Sequence, residues 1–170
     1  MPRIFWVILA AMLTAWLAMN LWTAPSIEET AGGLRLLDMR FTGYSYEEVQ
    51  EFVSALGEEG AALHLGAQYW LDMVFPPLLG AVIFLFFRWL FPGFPGLVIG
   101  ISSLAYVAAD ILENLAVAAI LRAGVDGLTP QMAATANQFT TAKWGLALIG
   151  VAMLVIGIAL RLARRWSADA

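Results

Sequence analysis

The sequence predicts an all-α membrane protein: an antiparallel bundle of four transmembrane helices with a short amphipathic helix capping its outer side. Three observations predict it. The 170 residues are 61% apolar and 13% charged, where a soluble domain carries about 25% charged residues. The apolar residues gather into four runs, each near the roughly 20 residues that cross a hydrocarbon core. The charges and tryptophans then sort to opposite ends of those runs.

The spans are residues 4–22, 67–90, 97–121 and 142–160. The short Pro/Gly turn "FPGFPG" at 91–96 makes the second and third an antiparallel pair. Arg3, Arg88, Arg161, Arg164 and Arg165 fall at one end. The segment between the first two spans, 23–62, holds eight acidic residues against Arg35 and Arg40. By the positive-inside rule the arginine end is cytoplasmic, both termini are inside, and the acidic segment is outside. Trp6, Trp89 and Trp166 belong to the inner interface, and Trp22, Trp70 and Trp144 to the outer one; Trp16 alone is mid-span. The N-terminal run follows Arg3 without a small-x-small cleavage site, so it reads as an uncleaved signal-anchor in a cell (inner) membrane.

The outer segment has its own structure. "SIEE" at 26–29 and "SYEE" at 45–48 both fit the capping box. The second opens an amphipathic helix over 46–56. Val49, Phe52, Val53 and Leu56 repeat at helical spacing, and Glu47, Glu48 and Glu51 lie around the other face. Gly57 is its stop, and Gly32-Gly33 breaks the chain before it. "TPQ" at 129–131 is a cap followed by proline, so the fourth helix starts outside the membrane. The whole chain reads as a single transmembrane domain.

Polar residues inside the spans mark the candidate site. Residues three or four apart share a helix face. The third span carries Ser103, Tyr106, Asp110, Glu113 and Asn114 on one stripe. The second carries His64, Gln68 and Asp72. The start of the fourth carries Asn137, Gln138, Thr140, Thr141 and Lys143, the only lysine. At 1.5 Å per residue, Asp110 lies roughly 20 Å above residue 96, and Asp72 roughly 24 Å above Arg88. In a core about 30 Å thick, the three stripes therefore meet in its outer third. A carboxylate facing lipid costs about 3 kcal/mol near the centre, so these groups face one another, a cavity or another protein. Lys143 is the natural partner of Asp72, Asp110 or Glu113, and Arg40 in "LDMRFTGYS" is placed to fold down from outside. Three acids against one lysine leave a proton, Arg40 or a bound cation to balance the charge.

Simpler readings stand beside this one. A single acid–lysine pair suffices to lock helices together. His64 reads as a hydrogen-bonded histidine, Tyr106 as a packing residue, and Pro76-Pro77 as a bend whose freed carbonyls either line a cavity or do not.

Composition removes several functions. There is no cysteine, hence no disulfide, thiolate metal site or cysteine nucleophile. One histidine excludes a haem held by two histidines of this chain. HExxH, GxSxG, P-loop and dinucleotide-binding patterns are absent. No metal and no cofactor is indicated, and the acidic outer segment is the wrong sign for nucleic acid. Three functions fit. The first is binding of a small ligand, cation or lipid headgroup by Asp72, Asp110, Glu113, Asn114, Lys143, Gln68, His64, Tyr106 and Arg40. The second is an accessory subunit of a larger membrane complex. The third is a lipid- or polyisoprenoid-modifying enzyme. The expected partners are membrane lipids, a second copy of the chain, or that complex.

Overall fold

The computed structural model describes residues 2–166, without the side chains of Arg164 and Arg165. The contribution of those two arginines to the charge asymmetry lies outside the described residues. Four long helices carry the chain: α1 (Arg3–Thr30), α2 (Tyr46–Leu90), α3 (Phe94–Gly127) and α4 (Pro130–Trp166). All four are long and apolar enough to cross a membrane. This is the predicted all-α four-helix bundle, and the chain is a multi-pass membrane protein.

Each helix is longer than its predicted span because it continues past the acidic end. α3 runs from Phe94 to a break at Gly124 (φ 64°, ψ −174°), about 45 Å at 1.5 Å per residue against a core of about 30 Å. The protruding ends build a separate hydrophobic core there. Ile27 of α1, Ala31 just past its end, Val49, Phe52, Val53 and Leu56 of α2, Val117, Ile120 and Leu121 of α3, and Ala133 and Ala136 of α4 pack around Leu36, Leu37 and Tyr44. Phe52, Ile27, Leu37 and Ile120 are fully buried. Each such large apolar side chain contributes about 1.5–3 kcal/mol when withdrawn from water. At membrane level the balance reverses: Leu148, Val151 and Val155 of α4 and Val7 and Trp16 of α1 are exposed, as lipid-facing residues must be.

The amphipathic helix forms as its sequence dictates. The Ser45 hydroxyl accepts from the Glu48 N–H at 3.2 Å, and the Glu48 carboxylate accepts from the Ser45 N–H at 2.7 Å. Both halves of the capping box are present. Gly57 then breaks the helix at φ 64°, ψ −172°, a conformation open essentially to glycine alone. Helix resumes at once, so residues 46–56 are an arm of α2 bent across the acidic end.

"SIEE" does not cap a helix. Ser26 lies inside α1 and its hydroxyl donates to the Trp22 carbonyl. A π turn at Met19–Thr23 shifts the hydrogen-bond register just ahead of Pro25, so the helix absorbs the proline. "TPQ" behaves as expected: the Thr129 hydroxyl accepts from the Met132 N–H at 3.3 Å, and Pro130 is the first residue of α4.

α2 and α3 pack closely because glycines line their contact. A Cβ at Gly80 would collide with Val107, and one at Gly100 would lie 2.8 Å from Phe84. At the arginine end, Arg161 donates to the Trp89 carbonyl at 2.9 Å and stacks on the Trp89 ring. Arg88 donates to the Gly93 carbonyl at 2.8 Å.

Candidate functional site

The polar side chains of α2, α3 and α4 come together in one buried layer beneath the core of the acidic end. Asp72, Asp110, Glu113, Asn114, Gln68, His64 and Lys143 are all buried. Lys143 is at the centre. Its ammonium lies 2.5 Å from Glu113 Oε2 and 3.5 Å from Asp110 Oδ1. It also donates to the Asp38 carbonyl at 3.3 Å. Two carboxylates and one carbonyl thus lie around an ammonium that has three N–H donors.

Asp38 was not legible as a site residue. It sits in the single 3₁₀ turn Leu37–Met39, within the loop that crosses the acidic end. Its carbonyl also accepts from the Trp144 indole N–H at 2.9 Å, which pins the loop to α4. Its carboxylate acts electrostatically on His64, Asp72, Glu113 and Lys143. The buried Oδ1 has no hydrogen-bond partner among the described residues. No helical periodicity extends through this loop, so only its path over the bundle brings Asp38 here.

Around this centre run two side-chain relays. On one side Thr23 of α1 donates to Gln68 Oε1, and Gln68 Nε2 donates to Asp72 Oδ1 at 2.8 Å. Gln68 belongs to a second π turn, His64–Gln68, that faces the π turn of α1. Such turns recur at functional sites. On the other side the Tyr44 and Thr140 hydroxyls meet at 3.0 Å. Tyr44 lies in the loop, and burial pushes its phenol well above the ordinary value, so it stays protonated. Thr23, Tyr44 and Thr140 were not singled out as ligands: an isolated hydroxyl carries no sequence signal.

Asn114 has a structural role. Its side-chain N–H donates to the Asp72 carbonyl at 2.8 Å. In an unbroken helix that carbonyl would receive the N–H of residue 76, but residue 76 is proline and has none. Asn114 supplies the missing donor from the neighbouring helix. Ser103 similarly donates to the Gly80 carbonyl at 3.2 Å.

Arg40 does not join the layer. It donates to the Arg35 carbonyl at 2.9 and 3.2 Å, lies 3.9 Å from Glu48 and sits over the Phe52 ring. These contacts hold it on the surface of the arm, so it does not balance the buried acids. Tyr106 lies one turn from Asp110, toward the arginine end, and lines a groove of about 420 Å³ between α2, α3 and α4. Among the described residues no three His, Asp or Glu side chains are grouped to hold a metal ion.

The outcome is a buried centre with an excess of acceptors. Asp110 and Glu113 pair with one lysine, and Asp38 and Asp72 add negative charge without a cation in contact. Glu113 is 0% exposed, and neither of its carboxylate oxygens has a hydrogen-bond partner among the described residues, although Oε2 is ion-paired with Lys143. A buried polar atom left unpartnered costs about 1–3 kcal/mol, more when charged. No protein-family model, curated protein or solved structure matches the chain.

Proposed function

We propose that this is a multi-pass protein of the cell (inner) membrane, with both termini cytoplasmic, that binds a small donor-bearing ligand in its polar layer. The ligand is an organic cation or the headgroup of an amphiphile. One observation carries the reading: the carboxylate of fully buried Glu113 has no hydrogen-bond donor, and the lysine beside it is shared with Asp110 and the Asp38 carbonyl. A centre that served only to join helices would need one acid for one lysine. Here two acids contact the lysine, and Asp38 and Asp72 lie within electrostatic reach.

Native mass spectrometry of the gently extracted protein tests this. The wild type should carry a bound small molecule or lipid, and Asp110→Asn should lose it while staying monodisperse. Retention of the same species by Asp110→Asn, or an empty wild type, refutes the reading.

A second reading, an accessory subunit of a larger membrane complex, is favoured by α4. Its membrane stretch packs chiefly on α3 and leaves Leu148, Ile149, Val151, Val155 and Ile156 exposed. Stoichiometric co-purification of another chain in mild detergent supports that role, and a lone monodisperse protein speaks against it.

A further inference from the structure

The apolar groove ends at Tyr106, one helical turn short of the buried acid layer. Below Asp72 on α2, at helical spacing, come Leu79 and Ile83. Below Asp110 on α3 come Tyr106 and Ser103. Below Lys143 on α4 come Ala147 and Gly150. All six line the groove, and each continues the face that bears the acid or lysine above it. Along α4 the lining runs from Leu146 to Leu154, about 12 Å at 1.5 Å per residue. Its volume of about 420 Å³ falls within the range of small-ligand sites, about 300–1,000 Å³. The walls are apolar at the arginine end and give way to Tyr106 at the other, one helical turn from Asp110.

Resting on the ligand-binding reading above, we infer that the groove holds the alkyl chain of a single-chain amphiphile whose protonated amine reaches the acid layer. Charge complementarity selects the head. Both Glu113 oxygens and Asp38 Oδ1 lack hydrogen-bond donors, and Lys143 already faces Glu113, Asp110 and the Asp38 carbonyl. An ammonium supplies both donors and positive charge. A carboxylate or phosphate head would add negative charge beside Asp38, Asp72, Asp110 and Glu113, where the one lysine is already ion-paired. The apolar lining selects a chain rather than a free amine, since withdrawing an alkyl chain from water contributes about 0.8 kcal/mol per methylene.

The groove can be blocked without disturbing the fold. A Cβ at Gly150 meets no atom within 4 Å, so Gly150→Leu projects into open groove. Gly145, on the same helix but outside the groove, is equally open and gives the matched control Gly145→Leu. Binding of tetradecylamine, tetradecanoic acid and butylamine to the purified full chain in a non-ionic detergent would be read by native mass spectrometry. The wild type and Gly145→Leu should take up one tetradecylamine, Gly150→Leu should bind it at least about tenfold more weakly, and tetradecanoic acid should bind weakly to all three. Undiminished tetradecylamine binding by Gly150→Leu overturns the groove assignment. If butylamine still binds and Asp110→Asn abolishes it, the head site stands without the groove. Equal binding of tetradecanoic acid overturns the choice of an amine. No saturable binding of either amine to the wild type overturns both this inference and the ligand-binding reading.

Discussion

Lys143 carries more of this molecule than any other side chain. It joins α3 to α4 through Asp110 and Glu113 and ties the loop down through the Asp38 carbonyl. Removing one member of a buried ion pair leaves the other charge without compensation, at about 3–5 kcal/mol. Lys143→Met should therefore lower thermal stability in detergent sharply. Adding Glu113→Gln should recover much of the loss, because it removes the charge that was stranded. A double-mutant cycle read by thermal unfolding gives the coupling; additive losses would mean that the two side chains do not act as a pair. Arg40, the other cation once placed in this layer, is held on the arm by Arg35 and Glu48, so Arg40→Gln should leave the stability of the layer unchanged.

At the scale of an element, α2 is the least regular helix and the most informative. It bends at Gly57, loosens into a π turn at His64–Gln68, and contains Pro76 and Pro77. The bond from Asn114 to the Asp72 carbonyl repairs the gap left by Pro76. Asn114→Leu should destabilise the protein by about 1–3 kcal/mol through the stranded carbonyl. In a Pro76→Ala background, where residue 76 regains its N–H, the same change should cost much less. Equal losses in both backgrounds, measured by thermal or chemical unfolding, would remove this role from Asn114. Gly57→Ala places a Cβ in a conformation that costs about 1–3 kcal/mol. Since Gly57 has open space around it, the strain is purely backbone. The arm should loosen, with faster amide hydrogen exchange over residues 46–56 and little change in the spans.

The whole molecule has two cores of opposite character. In the membrane, glycines let α2 and α3 approach, and apolar side chains face lipid. At the acidic end a water-driven core of loop, arm and helix ends closes over the polar layer. The proposed direction of insertion follows from charge and can be checked directly, because the chain has no cysteine. A cysteine at Ser54, on the exposed face of the arm, should react with a membrane-impermeant thiol reagent in intact cells. One at Phe94, exposed at the turn between α2 and α3, should react only after permeabilisation. The reverse pattern would invert the topology and place the acid layer toward the cytoplasm.

Sequence by itself determined the number and place of the spans, the capped arm over 46–56, its break at Gly57, and the alignment of Asp72, Asp110 and Glu113 with Lys143. Each depends on local rules: the length of an apolar run, the 3.6-residue repeat, or a capping box. A residue's neighbours on its own helix face are fixed by that repeat wherever the helix goes. Tertiary structure alone decided that Asp38 enters the layer, that Arg40 stays out, that Asn114 serves the Pro76 gap, and that Ser26 lies within a helix. Asp38 and Lys143 are 105 positions apart, and their meeting depends on the path of an irregular loop. That path is set by which side chains bury together at the acidic end, and no local periodicity encodes it.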